Sequence, residues 1–92
     1  MRKVLVLNPL DNIAICLADM KAGSVIDQDN LKLSIIQDIP RGHKVCSKAV
    51  TKGEGIIKYG ERMGHATKDI SVGEHVHTHN VLGDRLSTEV NS

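Results

Sequence analysis

The sequence predicts a small all-β domain, and three observations support this fold class. Apolar residues recur mostly with a period of two, as in half-buried strands, and no segment holds a sustained helical stripe. Short strand-like runs are separated at regular intervals by turns that are rich in Gly, Pro, Asn and Asp. The 92 residues suffice for one domain. Because so short a chain buries only a modest core, we expect little room for a deep pocket walled by this domain alone.

The predicted strands follow one another closely, with a turn after nearly every one. They are Lys3–Leu7, Ile13–Leu17, Val25–Asp27, Lys32–Ile36, His43–Cys46, Gly55–Tyr59, Met63–Thr67 and Glu74–His79. The best helix candidate is Ser47–Lys52, which is about one turn long. The domain is predicted to cover residues 1–82, and the polar residues 83–92 are expected to form a fraying C-terminal tail.

One turn pattern occurs three times, in Asp19–Gly23, Ala49–Gly53 and Asp69–Gly73. Each copy has an apolar residue three positions before the final Gly and a β-branched residue two or three positions after it. The pattern predicts a short turn with Gly at positive φ, followed by a strand. Since the spacing between copies varies, we interpret it as a recurring structural device and not as a solenoid.

Composition excludes several classes of function. Twelve Lys and Arg residues against eleven Asp and Glu residues give a net charge of +1, so the basic patch of a nucleic-acid binder is not expected. Tyr59 is the only aromatic residue; we expect it to pack in the core, which leaves no stacking platform for bases. The apolar runs are too short for a membrane span or a secretion signal. Cys16 and Cys46 are interpreted as buried thiols of a cytoplasmic protein.

Three alternating histidines, His75, His77 and His79, lie in the run Glu74–Asn80. In a strand these three side chains would share one face. Two such imidazoles can converge on a metal ion, or one can act as an acid or base while another binds. The alternative is a solvated polar face, and a single strand offers too few ligands for a closed metal site.

Two polar turns are further candidates. The turn before Val45 presents His43 and Lys44, which can bind a carboxylate or act on a proton next to one, unless the turn is merely exposed. Asp11 and Asn12 follow the Asn-Pro turn at residues 8–9. They can bind hydroxyl groups or a metal, or make the side-chain-to-backbone bonds that are common in turns.

Four motifs occur together in a characteristic order: DNxA from Asp11, IPxGHKV from Ile39, IxYGxxxGxA from Ile57 and GEHVHTHN from Gly73. Their combination resembles the SAF-type N-terminal domain of altronate and galactarate dehydratases, and the resemblance extends over residues 4–81. It is also similar to the small alpha subunits of (2R)-sulfolactate sulfo-lyases, in which this domain is a separate chain.

The resemblance implies a β-clip fold of short bent strands and hairpins. It also implies lyases that remove water or sulfite from a small carboxylic acid, with a divalent metal, commonly iron. A large catalytic lyase chain would accompany the domain and carry much of the active site. The site residues implied on the matching positions are His43 and Lys44 for catalysis, Asp11, Asn12 and Asn80 for substrate binding, and His77 and His79 for a metal ion.

The first function hypothesis is therefore a small subunit or N-terminal domain of a hydro-lyase or carbon–sulfur lyase, which completes the active site of a large partner. Its substrate would be a sugar acid such as altronate or a 2-hydroxy acid such as sulfolactate. The alternative is a non-catalytic β-clip module that binds a sugar acid or a protein. A metal carrier using His75, His77 and His79 is a third hypothesis. Any of these allows a homo-oligomer, and none involves nucleic acid or membrane.

Overall fold

The computed structural model describes residues 2–84, and all its named elements are β-strands. The nine strands are β1 (Val4–Leu5), β2 (Ile13–Cys16), β3 (Val25–Gln28), β4 (Leu31–Ser34), β5 (Lys44–Cys46), β6 (Gly55–Lys58), β7 (Glu61–Ala66), β8 (His75–Val76) and β9 (Val81–Leu82). Every predicted strand overlaps one of them, which confirms the all-β class. In the described part of the chain, no helix has the length and apolar character that crossing a membrane requires.

The strands form three antiparallel sheets. The first has the order β1-β2-β5-β8, the second is the β3-β4 hairpin, and the third has the order β6-β7-β9. The predicted helix at Ser47–Lys52 is wrong, because these residues form a bend, an isolated bridge and a turn. Val50 and Ile70 exchange backbone hydrogen bonds of 2.9 and 2.8 Å. These bonds hold Val50 in an antiparallel β-bridge and not in a helix.

The chain consists of two similar halves, one after the other, with equivalent positions about 30 residues apart. The turn pattern seen in the sequence marks both halves, and Gly23, Gly53 and Gly73 have the predicted positive φ of 92°, 90° and 89°. A fourth copy ends at Gly42, with φ of 86°. The four copies of the turn form two pairs, each joined by an antiparallel β-bridge. Met20 is bridged to Ile39, and Val50 is bridged to Ile70. Equivalent pairs include Cys16 with Cys46, Met20 with Val50, Ile26 with Ile56, Ile39 with Ile70 and Val45 with Val76.

Each half has its own hydrophobic core, and the sheet β1-β2-β5-β8 contributes to both. Ala14 and Val45 belong to the first core, whereas Ile13 and Cys46 belong to the second. Successive strand residues point to opposite faces, so β2 and β5 are buried on both sides and carry apolar residues in succession. This two-sided burial makes β5 the junction between the halves.

The predicted tail at residues 83–92 lies outside the described residues from position 85 onward. Asp84, just before that point, contacts β7. Its carboxylate accepts a hydrogen bond of 2.7 Å from Arg62 Nε and lies 2.8 Å from His65 Nδ1.

A substitution at Gly73 tests the contact between the two halves. A Cβ at this position would collide with the carbonyl oxygen of Ser34, whereas a Cβ at Gly53, with nearly the same φ, meets nothing within 4 Å. Gly53→Ala should therefore cost only the left-handed backbone penalty of about 1–2 kcal/mol, and Gly73→Ala about 3 kcal/mol or more. Urea unfolding of both variants measures this difference. Equal losses would contradict the close approach of Gly73 to Ser34.

Candidate functional site

Three histidines form a cluster at the edge where β5 pairs with β8. Nδ1 of His43 lies 2.9 Å from Nε2 of His75, within hydrogen-bonding distance. The ring of His77 stacks on both, with centroid distances of 4.5 Å to His43 and 5.5 Å to His75. One nitrogen from each of the three rings lies within 4.8 Å of the others.

Strand register explains how His43 and His75 meet although they are far apart in the sequence. His75 pairs with Val45 in the antiparallel β5–β8 ladder. Residues that are directly opposite share a face, and His43 lies two positions before Val45 along the chain. His43 and His75 are thus diagonal neighbours on one face, and the next residue, Lys44, points to the other face.

The prediction that His75, His77 and His79 alternate along one strand is wrong. The strand ends at Val76, and residues 77–80 form a turn. Asn80 holds this turn, because its fully buried amide accepts a hydrogen bond of 3.0 Å from His77 N and donates one of 2.8 Å to the carbonyl of His75. The turn brings His77 onto the cluster, and His79 tilts against His75 at 5.2 Å.

The local environment disfavours the charged form of His75. Partial burial lowers its pKa, and the neighbouring imidazoles of His79, His43 and His77 lower this pKa further by repulsion between positive charges. In a hydrogen bond between two neutral imidazoles, the donor ring keeps a lone pair on its other nitrogen. When both rings are neutral, the pair presents one basic nitrogen beyond the bond, whichever of His43 and His75 donates. Such a nitrogen can accept a proton or bind a metal ion.

The donor set of the cluster suits a divalent transition metal. Imidazole nitrogens are common ligands of Zn²⁺ and Fe²⁺, and three ligands leave coordination positions for water or substrate. The family resemblance implies His77 and His79 as ligands. The described geometry instead groups His77 with His43 and His75, and metal binding itself stays a prediction.

Lys44 lies on the opposite face of β5 and lines a cavity of about 310 Å³. Burial lowers the pKa of Lys44, and the nearby positive charge of Lys58 lowers it further. His77 lines this cavity as well, so it lies between the histidine cluster and Lys44. The importance of Lys58 was not seen in the sequence, because only the packing of β6 against β5 and β8 reveals it.

Asp11 and Asn12 are engaged with the backbone of the β6–β7 hairpin. The Asp11 carboxylate, which is 1% exposed, accepts hydrogen bonds of 3.0 Å from Tyr59 N and 2.8 Å from Gly60 N. The Asn12 side-chain amide accepts a hydrogen bond of 2.8 Å from Ile57 N and donates one of 2.9 Å to the carbonyl of Gly55. Substrate binding by Asp11, Asn12 and Asn80 stays a prediction, and the structure gives all three a structural role.

Tyr59 corrects another expectation, since its side chain is 63% exposed at the tip of this hairpin and does not pack in the core. Its φ of 58° belongs to the tight turn that Asp11 caps. The two cysteines are buried as predicted, and burial raises the pKa of both thiols to about 11. Such thiols remain protonated at neutral pH, so nucleophilic chemistry at Cys16 or Cys46 is disfavoured.

The family model of the altronate/galactarate dehydratase SAF domain matches residues 2–84, which is the whole described part of the chain. The chain belongs to this family. Membership confirms the resemblance seen in the motifs, and the small all-β structure agrees with a SAF-like domain.

Similar proteins occur in two arrangements. The chain is 43% identical over 80% of its length to an altronate dehydratase of Escherichia coli, of which it spans only 15%. It is 48% identical over 59% of its length to a (2R)-sulfolactate sulfo-lyase subunit alpha of Paracoccus pantotrophus, of which it spans 81%. The corresponding subunit of Chromohalobacter salexigens is 41% identical over 72% of this chain and 71% of that subunit. The relatives are thus lyases in which the SAF region is either a small part of a long chain or most of a subunit.

Asp11→Asn tests the structural role of the buried carboxylate. Asparagine keeps one acceptor oxygen, but its NH₂ group would face one of the two backbone N–H donors of Tyr59 and Gly60 and leave that donor without an acceptor. We therefore expect a loss of stability of about 2 kcal/mol. Asp19→Asn is the matched control, because the exposed Asp19 carboxylate accepts a single bond, of 2.8 Å, from Arg41 N. Thermal unfolding compares the two variants. If Asp11→Asn is no more destabilising than Asp19→Asn, the capping role is wrong.

Proposed function

We propose that this domain supplies part of the active site of a lyase that eliminates water or sulfite from a small hydroxy acid. The observation that carries the proposal is the contact of His43, His75 and His77 at one edge of the domain. Family membership and the names of the relatives, altronate dehydratase and sulfolactate sulfo-lyase subunit alpha, support the reaction class.

The reaction needs a base and a group that stabilises negative charge. Removal of the proton on the carbon next to the carboxylate leaves an electron pair that forms a carbon–carbon double bond, while the bond from the next carbon to oxygen or sulfur breaks. The basic nitrogen of the His43–His75 pair is suited to take that proton. Lys44, on the opposite face of β5, lines the same cavity as His77 and is suited to balance the charge on the carboxylate.

In place of proton transfer, His43, His75 and His77 are proposed as ligands of the divalent metal of the family, in which case the partner chain would supply the base. When bound, such an ion would act as a Lewis acid that stabilises oxygen-centred negative charge. Asn80 would act through the backbone, because it fixes the turn that positions His77.

A large partner chain is proposed to complete the site. The ring of His77 is exposed and the cluster lies at the surface, so a second protein surface can close over it. The chain spans 15% and 16% of the length of two altronate dehydratases, and this difference in length is consistent with a larger catalytic part elsewhere. A cytoplasmic location follows from the same proposal.

His43→Gln in the complex with a large lyase chain tests the proposal. Glutamine keeps hydrogen-bonding capacity but cannot act as a base at neutral pH, so kcat/KM for water loss from altronate or sulfite loss from sulfolactate should fall about 100-fold or more. The expected loss lies mainly in kcat, because proton transfer is impaired while the surface for substrate remains.

His65→Gln is the matched control. His65 lies near Asp84, away from the three-histidine cluster, and its substitution should leave kcat/KM unchanged. An unchanged kcat/KM for His43→Gln would refute the role of His43. Binding of a sugar acid by a chain that forms no complex with any lyase would instead favour the non-catalytic module.

A further inference from the structure

The cavity behind the histidine cluster combines two positive charges with an apolar floor. Its floor consists of Ile56, Val76 and Val81, and the side chains of Lys44 and Lys58 enter it. Its volume of about 310 Å³ lies within the range of small-molecule sites. A cavity of this composition is suited to a ligand that has a short carbon chain and a negative charge.

The two lysines have no acidic partner among the residues that the structure describes. Within residues 2–84, neither Lys44 nor Lys58 forms an ion pair with a carboxylate; the ion pairs of this region involve other residues. Lys58 Nζ lies 5.8 Å from the centre of the Tyr59 ring, which offers only a weak cation–π contact. Two neighbouring ammonium groups repel each other, and an anion bound between them would relieve that repulsion.

Packing between two sheets, and not sequence proximity, brings these two charges together. Lys44 begins β5, and Lys58 ends β6, which belongs to a different sheet. The buried Ile56 lies two positions before Lys58 on β6, and Val76 is paired with Lys44 in the β5–β8 ladder. The cavity is thus built at the contact between the central sheet and the β6-β7-β9 sheet.

We infer that Lys44 and Lys58 bind the carboxylate of the hydroxy acid, with the carbon next to the carboxylate facing His77 and the rest of the carbon chain on the apolar floor. This inference rests on the proposed function and deepens it, because it assigns the carboxylate subsite and adds Lys58 to the site. The Thr78 hydroxyl, which also lines the cavity, can donate to or accept from a substrate hydroxyl. His77 lines the cavity and belongs to the histidine cluster, so a carboxylate held by the lysines brings the adjacent carbon towards the basic nitrogens.

Binding of altronate to the 92-residue chain, followed by NMR chemical shifts, tests the subsite without any activity. The methyl signals of Ile56, Val76 and Val81 should shift on titration. Lys58→Gln should weaken binding about tenfold or more, since a charge-assisted hydrogen bond is lost, and Lys58→Arg should retain most of the affinity. Lys32→Gln, which removes the same charge from the exposed face of β4, is the control and should bind as the parent does.

Two ligand controls define the recognised group. The neutral sugar alcohol that corresponds to altronate should not shift these methyl signals, because it lacks the carboxylate. Inorganic phosphate should bind more weakly than altronate, since it cannot use the apolar floor. Equal binding of phosphate and altronate, equal weakening by Lys58→Gln and Lys32→Gln, or no shift at these methyl groups would each overturn the inference.

The altronate-binding test and the test of the lyase proposal can fail separately. Loss of altronate binding in Lys58→Gln, together with unchanged kcat/KM in His43→Gln, would support the subsite and refute the catalytic role of the histidine. The reverse pattern would refute the subsite alone.

Discussion

The position of β5 between β2 and β8 is the constraint on which the rest of the structure depends. This three-residue strand is paired on both edges and buried on both faces, with Val45 in one core and Cys46 in the other. It ends the first half of the chain and begins the second. Because a shift of one residue would exchange the two faces, burial of Val45 and Cys46 on opposite sides fixes the register of β5. The same register places His43 and Lys44, adjacent in sequence, on opposite sides of the sheet.

The polar residues of the site region divide into those that hold the backbone and those that remain available for chemistry. Asp11 and Asn80, both almost fully buried, are bonded to backbone groups of the hairpin and of the histidine turn. Their bonds offset the cost of burying polar atoms and position the neighbouring side chains. His43, Lys44 and His77 are left partly or fully exposed. A site of this kind, rigid in its backbone and open to one side, is suited to completion by a second protein surface.

Sequence patterns predicted the strands and the glycine turns because both depend on local periodicity and local backbone conformation. They predicted the position of Gly73 at positive φ, but not its contact with Ser34, which depends on how the halves meet. The predicted strand position of His77 is wrong. The Asn80 side chain donates a hydrogen bond to the carbonyl of His75, and this bond holds a turn where the prediction continues the strand. Tyr59 was assigned to the core from its apolar character, although the turn that Asp11 caps exposes it. Lys58 could not be recognised at all, because its proximity to Lys44 arises from packing between two sheets.

The histidine cluster and the lysine cavity share His77, and we propose that they form one continuous site. High-spin Co²⁺, which imidazole binds well, is paramagnetic and reports the distance to a second ligand. The most direct measurement is the NMR relaxation of altronate protons in the presence of the chain loaded with Co²⁺. A continuous site predicts strong relaxation enhancement that is lost in both His77→Gln and Lys58→Gln. Binding of Co²⁺ and altronate together without any enhancement would contradict it, because the two ligands would then occupy separate places on the domain.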